Sequence, residues 1–140
     1  MVVLNHAFVP ARDKVASAQW FARIFRVPYA GALSGRPAVR VRLNETLALD
    51  FVERERFEPL HLAFHVSDAE FDGILERLRG DDWPYGSGGG AMNDGQVNPR
   101  RFGRNVYFRD GNGHSLELLT RPEWDEPSES TVGLSSDEER

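Results

Sequence analysis

Leu60-His61-Leu62-Ala63-Phe64-His65-Val66 decides the fold. Side chains alternate across a strand with a period of two. His61, Ala63 and His65 therefore share one face, and Leu62, Phe64 and Val66 share the other. The apolar face suits packing beneath a helix, and one follows at once. Ser67 and Asp68 are good helix-capping types. Phe71, Ile74, Leu75 and Leu78 then recur at helical spacing. The same order stands upstream. Val2–Val9 (VVLNHAFV) reads as a strand, Asp13 as a cap, and Val15–Phe25 as a helix with Trp20, Phe21, Ile24 and Phe25 as its core. His6 precedes Asp13 by seven residues, and His61 precedes Asp68 by seven.

Each half closes in an apolar hairpin. The first pairs Ala38–Leu43 with Thr46–Phe51 around Asn44-Glu45. The second pairs Asn105–Arg109 with His114–Leu119 around Asp110-Gly111-Asn112-Gly113, a strong turn signal. The expected fold class is α+β: one domain, residues 1–121, built from two βαβββ modules at 2–53 and 59–121. Residues 81–104 contain Gly86-Ser87-Gly88-Gly89-Gly90 and read as a long, mobile loop.

Bulk properties exclude more than they suggest. The 140 residues are 40% hydrophobic and 28% charged, ordinary for a globular domain. No run approaches the roughly 18 apolar residues of a membrane span, and no secretory leader is expected. The chain has no cysteine, which removes disulfides, thiolate metal sites and cysteine nucleophiles and fits a cytoplasmic setting. The net charge is −5. Residues 122–140 hold seven of the 22 acidic residues and one of the 17 basic ones. The body is thus nearly neutral, with no charge case for nucleic acid or membrane. The acidic tail has few large apolar residues, Trp124 among them, and is expected to be disordered.

By repeat equivalence, His6, His61 and Glu117 should point into one cavity, with Ala48 at the fourth equivalent position. Two imidazoles and a carboxylate form a donor set for a catalytic divalent ion with open positions, such as iron, manganese, nickel, cobalt or zinc. A substrate with two adjacent oxygens would chelate such an ion, which would stabilise developing enolate or alkoxide charge. Taken singly, a histidine or glutamate on a strand is more often structural. The matched halves raise the case here.

Asn5-His6, Leu60–Val66 and Tyr107-Phe108-Arg109-Asp110-Gly111-Asn112-Gly113-His114-Ser115-Leu116-Glu117-Leu118 together resemble the vicinal oxygen chelate superfamily. That group includes glyoxalases, extradiol dioxygenases, fosfomycin-modifying transferases and bleomycin-resistance proteins. The resemblance covers about residues 2–121. It implies an incomplete, U-shaped barrel around a metal held by His6, His61 and Glu117. It also implies a small-molecule substrate and a homodimer, sometimes with the cavity completed across subunits. Glyoxalase I carries a glutamate at the place assigned to Ala48, which argues against glyoxalase I activity itself. The His-His-Glu set is more similar to that of fosfomycin transferases and of the catalytic module of extradiol dioxygenases, and the enzyme expected is a metal-dependent lyase or dioxygenase. Tyr107 corresponds to a substrate contact of fosfomycin transferases, but the serine- and lysine-bearing loop of those enzymes is not evident: Ser87 is the only serine of residues 81–104, which contain no lysine. A metal-free drug-sequestering protein would not need the three ligands.

The remaining candidates carry less chemistry. His65 shares the His61 face and is a candidate base or substrate contact. Arg100, Arg101 and Arg104 form a basic cluster that could draw an anionic substrate. His114 reads as structural or exposed. Gly88-Gly89-Gly90 lacks the strand–glycine–helix context of a phosphate loop, and no nucleophilic serine elbow is present.

Overall fold

A computed structural model describes residues 1–100 and 103–122. The expected acidic tail beyond 122, Trp124 and Arg101 lie outside the described residues. The chain runs β1 (His6–Ala11), α1 (Lys14–Phe25), β2 (Tyr29–Ala32), β3 (Ala38–Arg42), β4 (Ala48–Glu53), β5 (His61–His65), α2 (Asp68–Gly80), β6 (Asn98–Arg100), β7 (Gly103–Arg109) and β8 (Ser115–Leu119). Two open, mixed four-stranded sheets result, in the orders β1-β4-β3-β2 and β5-β8-β7-β6. These are the two βαβββ modules.

Both helices start where the sequence places their caps. The Asp13 carboxylate accepts from the Ala16 N–H at 3.0 Å. Ser67 and Glu70 form a reciprocal capping box, which satisfies two otherwise orphaned backbone donors. α1 ends at Arg26, whose left-handed backbone (φ 57°) lets its N–H close on the Ala22 carbonyl.

One core serves both modules. α1 contributes Phe21 and Phe25, whose rings stack at 4.0 Å. Phe25 also meets Phe64 of the second sheet at 4.9 Å, and Phe21 meets Phe51 of the first. Phe71, Ile74 and Leu78 of α2 join the same cluster. Each fully buried side chain of this kind contributes about 1.5–3 kcal/mol. Because strand side chains alternate, the sheet faces opposite this core carry His6, Phe8 and Asp50 in one module and His61, Ala63 and Glu117 in the other.

Two expectations need correction. The first strand begins at His6, not Val2. Its parallel partner β4 starts at Ala48, opposite His6, and residues 1–4 lie exposed. Pro10, which has no N–H to donate, is accommodated because β1 is an edge strand. The 81–104 segment is not a loop throughout. Asn98–Arg100 adds an edge strand to β7, Gly86 bridges Tyr107, and the Asp94 carboxylate accepts from Ser87 and from the Gln96 N–H. Those donors hold the Asp94 carboxyl below its usual range, the Ser87 hydroxyl foremost. A backbone carbonyl lies where a Gly86 side chain would begin, so the close approach there requires glycine. Among the described residues, no helix is long and apolar enough to cross a membrane.

His114 joins the halves. It is fully buried. The Leu60 N–H donates to its Nδ1 at 2.9 Å, so the proton sits on Nε2, which donates to the Pro10 carbonyl at 2.7 Å. This histidine is a neutral structural staple.

Candidate metal centre

Glu117 lies in the middle of β8 between two strands. Burial follows from that position: its side chain is 6% exposed, against 55% for His61. The His61 Nε2 atom stands 3.2 Å from Glu117 Oε1. The second carboxylate oxygen, Oε2, accepts from the amide of buried Asn105. On the other side of the imidazole, Ser115 Oγ lies 3.1 Å from His61 Nδ1. That contact orients the ring so that Nε2 points at the carboxylate, as outer partners of metal-ligating histidines do.

The fit of these residues to a metal can be tested on the one distance that matters. With ligand bonds of about 2.1 Å, neighbouring donors lie about 3.0 Å apart in an octahedral shell and about 3.4 Å apart in a tetrahedral one. The observed 3.2 Å falls between them. A buried carboxylate also needs a positive partner. The amide oxygen of Asn105, buried beside it, has no hydrogen-bond partner. The donor set therefore fits a divalent ion along the His61–Glu117 edge.

Tyr107 faces Glu117 directly across the β7–β8 ladder. Its hydroxyl pKa is raised, by burial first and then by the charge and hydrogen bonding of Glu117, with Arg100 and Asn105 pulling the other way. His65 lies further along the same strand face, opposite Leu119. It is exposed and borders a cavity of about 410 Å3 lined also by Phe25, Leu47, Phe64 and Glu70.

His6 is placed differently. It sits in the other sheet, exposed, with its Nδ1 2.8 Å from the Asn5 side chain. Among the described residues, no group of three or more His, Asp or Glu side chains converges to hold a metal. The structure thus brings together His61, Glu117 and Tyr107 and leaves His6 on the first sheet. The shared core explains this, because both donor faces look away from it.

The fourth position also moves. In the first ladder the Ala48 N–H donates to the Asn5 carbonyl; in the second the Ser115 N–H donates to the Leu60 carbonyl. Both hairpins close after loops of five residues, 43–47 and 110–114. His6 then matches His61, Ala48 matches Ser115, and Asp50 matches Glu117. Asp50, not Ala48, stands at the place of the carboxylate. It is fully buried, and its two oxygens accept from Arg40 Nε at 2.7 Å and Nη2 at 2.9 Å.

Sequence reasoning missed Asn105, Ser115, Asp50 and Arg40. The first two were findable as polar residues on the ligand face of strands. Arg104 loses its expected role: it bonds Asp68 and Asp72 of α2 and lies over the Phe71 ring. Those carboxylates raise its pKa, Asp72 foremost, so its charge is spent within the fold.

No protein-family model and no curated protein matches the chain. Solved structures do. The chain is 38% identical to the oxidase ChaP-H2, over 86% of this chain and 94% of that one, with a TM-score of 0.80. It is 36% identical to the oxidase ChaP-H1, over 90% of this chain and 100% of that one, with a TM-score of 0.82. A glyoxalase/dioxygenase from Nostoc punctiforme shares the fold at 18% identity and a TM-score of 0.66, over 85% of this chain and 90% of that one.

Proposed function

Because the chain belongs to the vicinal oxygen chelate superfamily, we propose that it is a metal-dependent enzyme of the glyoxalase or dioxygenase type, acting on a small substrate with two adjacent oxygens. The observation that carries this reading is the His61–Glu117 edge, 3.2 Å between donor atoms with each donor fixed by a neighbouring polar side chain. One divalent ion, of iron, manganese, nickel, cobalt or zinc, would be held by His61, Glu117 and His6. When bound, it supplies Lewis acidity to the substrate oxygens.

The third ligand comes from a second subunit. His6 and His61 both stand on strands that are unpaired on one side, β1 and β5. Phe8 of β1 is 59% exposed, and Val2, Val3 and Leu4, just before the strand, are exposed as well. Exposed large apolar residues concentrated in one segment suit an interface. A two-fold homodimer seating β1 of one chain against β5 of the next would bring the partner subunit's His6 to His61 and Glu117. Mixing two dead variants tests this. His6→Ala and His61→Ala homodimers are each expected to lose the ion. A purified His6→Ala/His61→Ala heterodimer regains one intact site, so elemental analysis should find about one ion per dimer. No ion in the heterodimer would refute the shared site.

The chain's own residues supply the rest. Ser115 and Asn105 hold the donors in position. Tyr107 presents a hydroxyl beside Glu117, placed to bond a substrate oxygen. His65, exposed on the same face, is the candidate base, since an imidazole exchanges protons near neutral pH. Oxygen uptake with a catechol would select dioxygenase over lyase. The relatives named as oxidases favour the oxygen-using reading. Thiol consumption dependent on fosfomycin would select a transferase, and tight drug binding without metal would select a sequestering protein.

A further inference from the structure

The metal reading uses one residue of the first sheet, His6, and leaves its buried ion pair unexplained. Asp50 fills the Glu117 position and Arg40 the Tyr107 position. Asp50 has no exposed surface and both its oxygens are engaged by Arg40, so it is not available to coordinate. The pair is also a poor stabilising device. Taking the Asp50 carboxylate out of water is costly even with Arg40 beside it, and an apolar replacement of similar volume is often neutral or better. What the pair does achieve is a guanidinium held rigid from one side. Arg40 keeps 24% of its side chain exposed, and its Nη1 has no protein partner among the described residues. It borders a cavity of about 180 Å3 with Asn5, Arg42, Thr46 and Ala48, in which Glu45 is the one acid. Arg42 turns its Nη2 to the Asn44 and Glu45 carbonyls at that rim. Phe8, opposite Asp50 in the ladder, exposes an aromatic ring beside the pair, 6.2 Å from the His6 ring.

A charged N–H donor held in place, here the Nη1 that Asp50 leaves over, recognises an oxyanion, and an exposed ring on the same sheet face recognises a flat apolar surface. We propose that Arg40, clamped by Asp50, is a specificity-determining residue that binds an ionised oxygen of a planar aromatic substrate. The inference rests on the metal reading in one respect: the face that bears His6 must close on the half that bears Glu117.

Salicylate and salicylamide are suitable probes, alike in shape and differing in charge. The full-length protein should bind salicylate at least about tenfold more tightly by calorimetry, as a charge-assisted bond requires. Arg40→Ala would strand a buried carboxylate, so the test uses Arg40→Met with Asp50→Leu, and Arg40→Gln with Asp50→Asn as an independent second variant. Both should retain the metal content of the parent and bind the two probes within about twofold of each other. An unchanged salicylate preference in the variants overturns the inference, as does the lack of any preference in the parent. Failure of the metal reading looks different: the parent carries no ion, while its salicylate preference still vanishes with Arg40.

Discussion

Asp50 and Glu117 occupy the same place in two copies of one motif, and their surroundings diverge completely. Each is a carboxylate in the middle of a sheet, and each is buried. Asp50 meets a guanidinium across the β3–β4 ladder, and its charge is closed off by two short hydrogen bonds. Across the β7–β8 ladder Glu117 meets a phenol whose hydroxyl bonds it, with an amide on one oxygen and an imidazole nitrogen beside the other. A single change of cross-strand partner, arginine against tyrosine, therefore separates a carboxylate neutralised by a cation on both oxygens from one that faces no cation across the ladder. The duplication supplies the frame, and the residue opposite the acid decides the chemistry.

The comparison breaks most visibly at the acids themselves. Glu117→Ala should abolish stoichiometric metal binding by elemental analysis, whereas Asp50→Ala should leave metal content unchanged. Loss of metal in both would mean that the halves are chemically equivalent after all. Next in size is the cross-strand partner. Arg40→Ala leaves Asp50 buried and unpaired, and should lower the urea midpoint clearly. Tyr107→Phe removes one partly buried hydroxyl and should cost about 1 kcal/mol. Equal costs would show that Arg40 is not the electrostatic partner the geometry makes it. The smallest effect on stability falls on the neighbours of the first histidine in each ladder. Ser115→Ala should weaken metal affinity about 10- to 100-fold by releasing the His61 ring, with stability changed by less than about 1 kcal/mol. Its counterpart Ala48, changed to Ser, should leave metal affinity unaltered.

Much of this arrangement could be read from the chain. The helix caps Asp13 and Ser67 follow from local hydrogen-bonding chemistry, and the Asp110–Gly113 turn from backbone preference. Alternation within Leu60–Val66 placed His61 and His65 on one face and Phe64 on the other, and the core aromatics confirm that division. Local signals failed wherever a partner distant in sequence was needed. The basic cluster at 100–104 looked available for substrate until Asp68 and Asp72 were found on Arg104. His114 looked incidental until Leu60 and Pro10 were found on its two nitrogens.

The placement of Ala48 in the carboxylate's position shows the limit most clearly. Side-chain direction in a strand repeats every two residues. Sliding one repeat by two positions against the other preserves every face and every alternation, so Ala48 and Asp50 are equally good answers to the pattern. Only the ladder register, fixed by hydrogen bonds from Ala48 to Asn5 and from Ser115 to Leu60, separates them. The amino-acid order by itself determined the two modules, the donor types and the faces that carry them, because those depend on neighbours a few residues away. The folded chain alone decided which acid faces an arginine and on which side of the shared core each histidine lies. Those outcomes depend on strand pairing and on core packing, which bring together residues tens of positions apart.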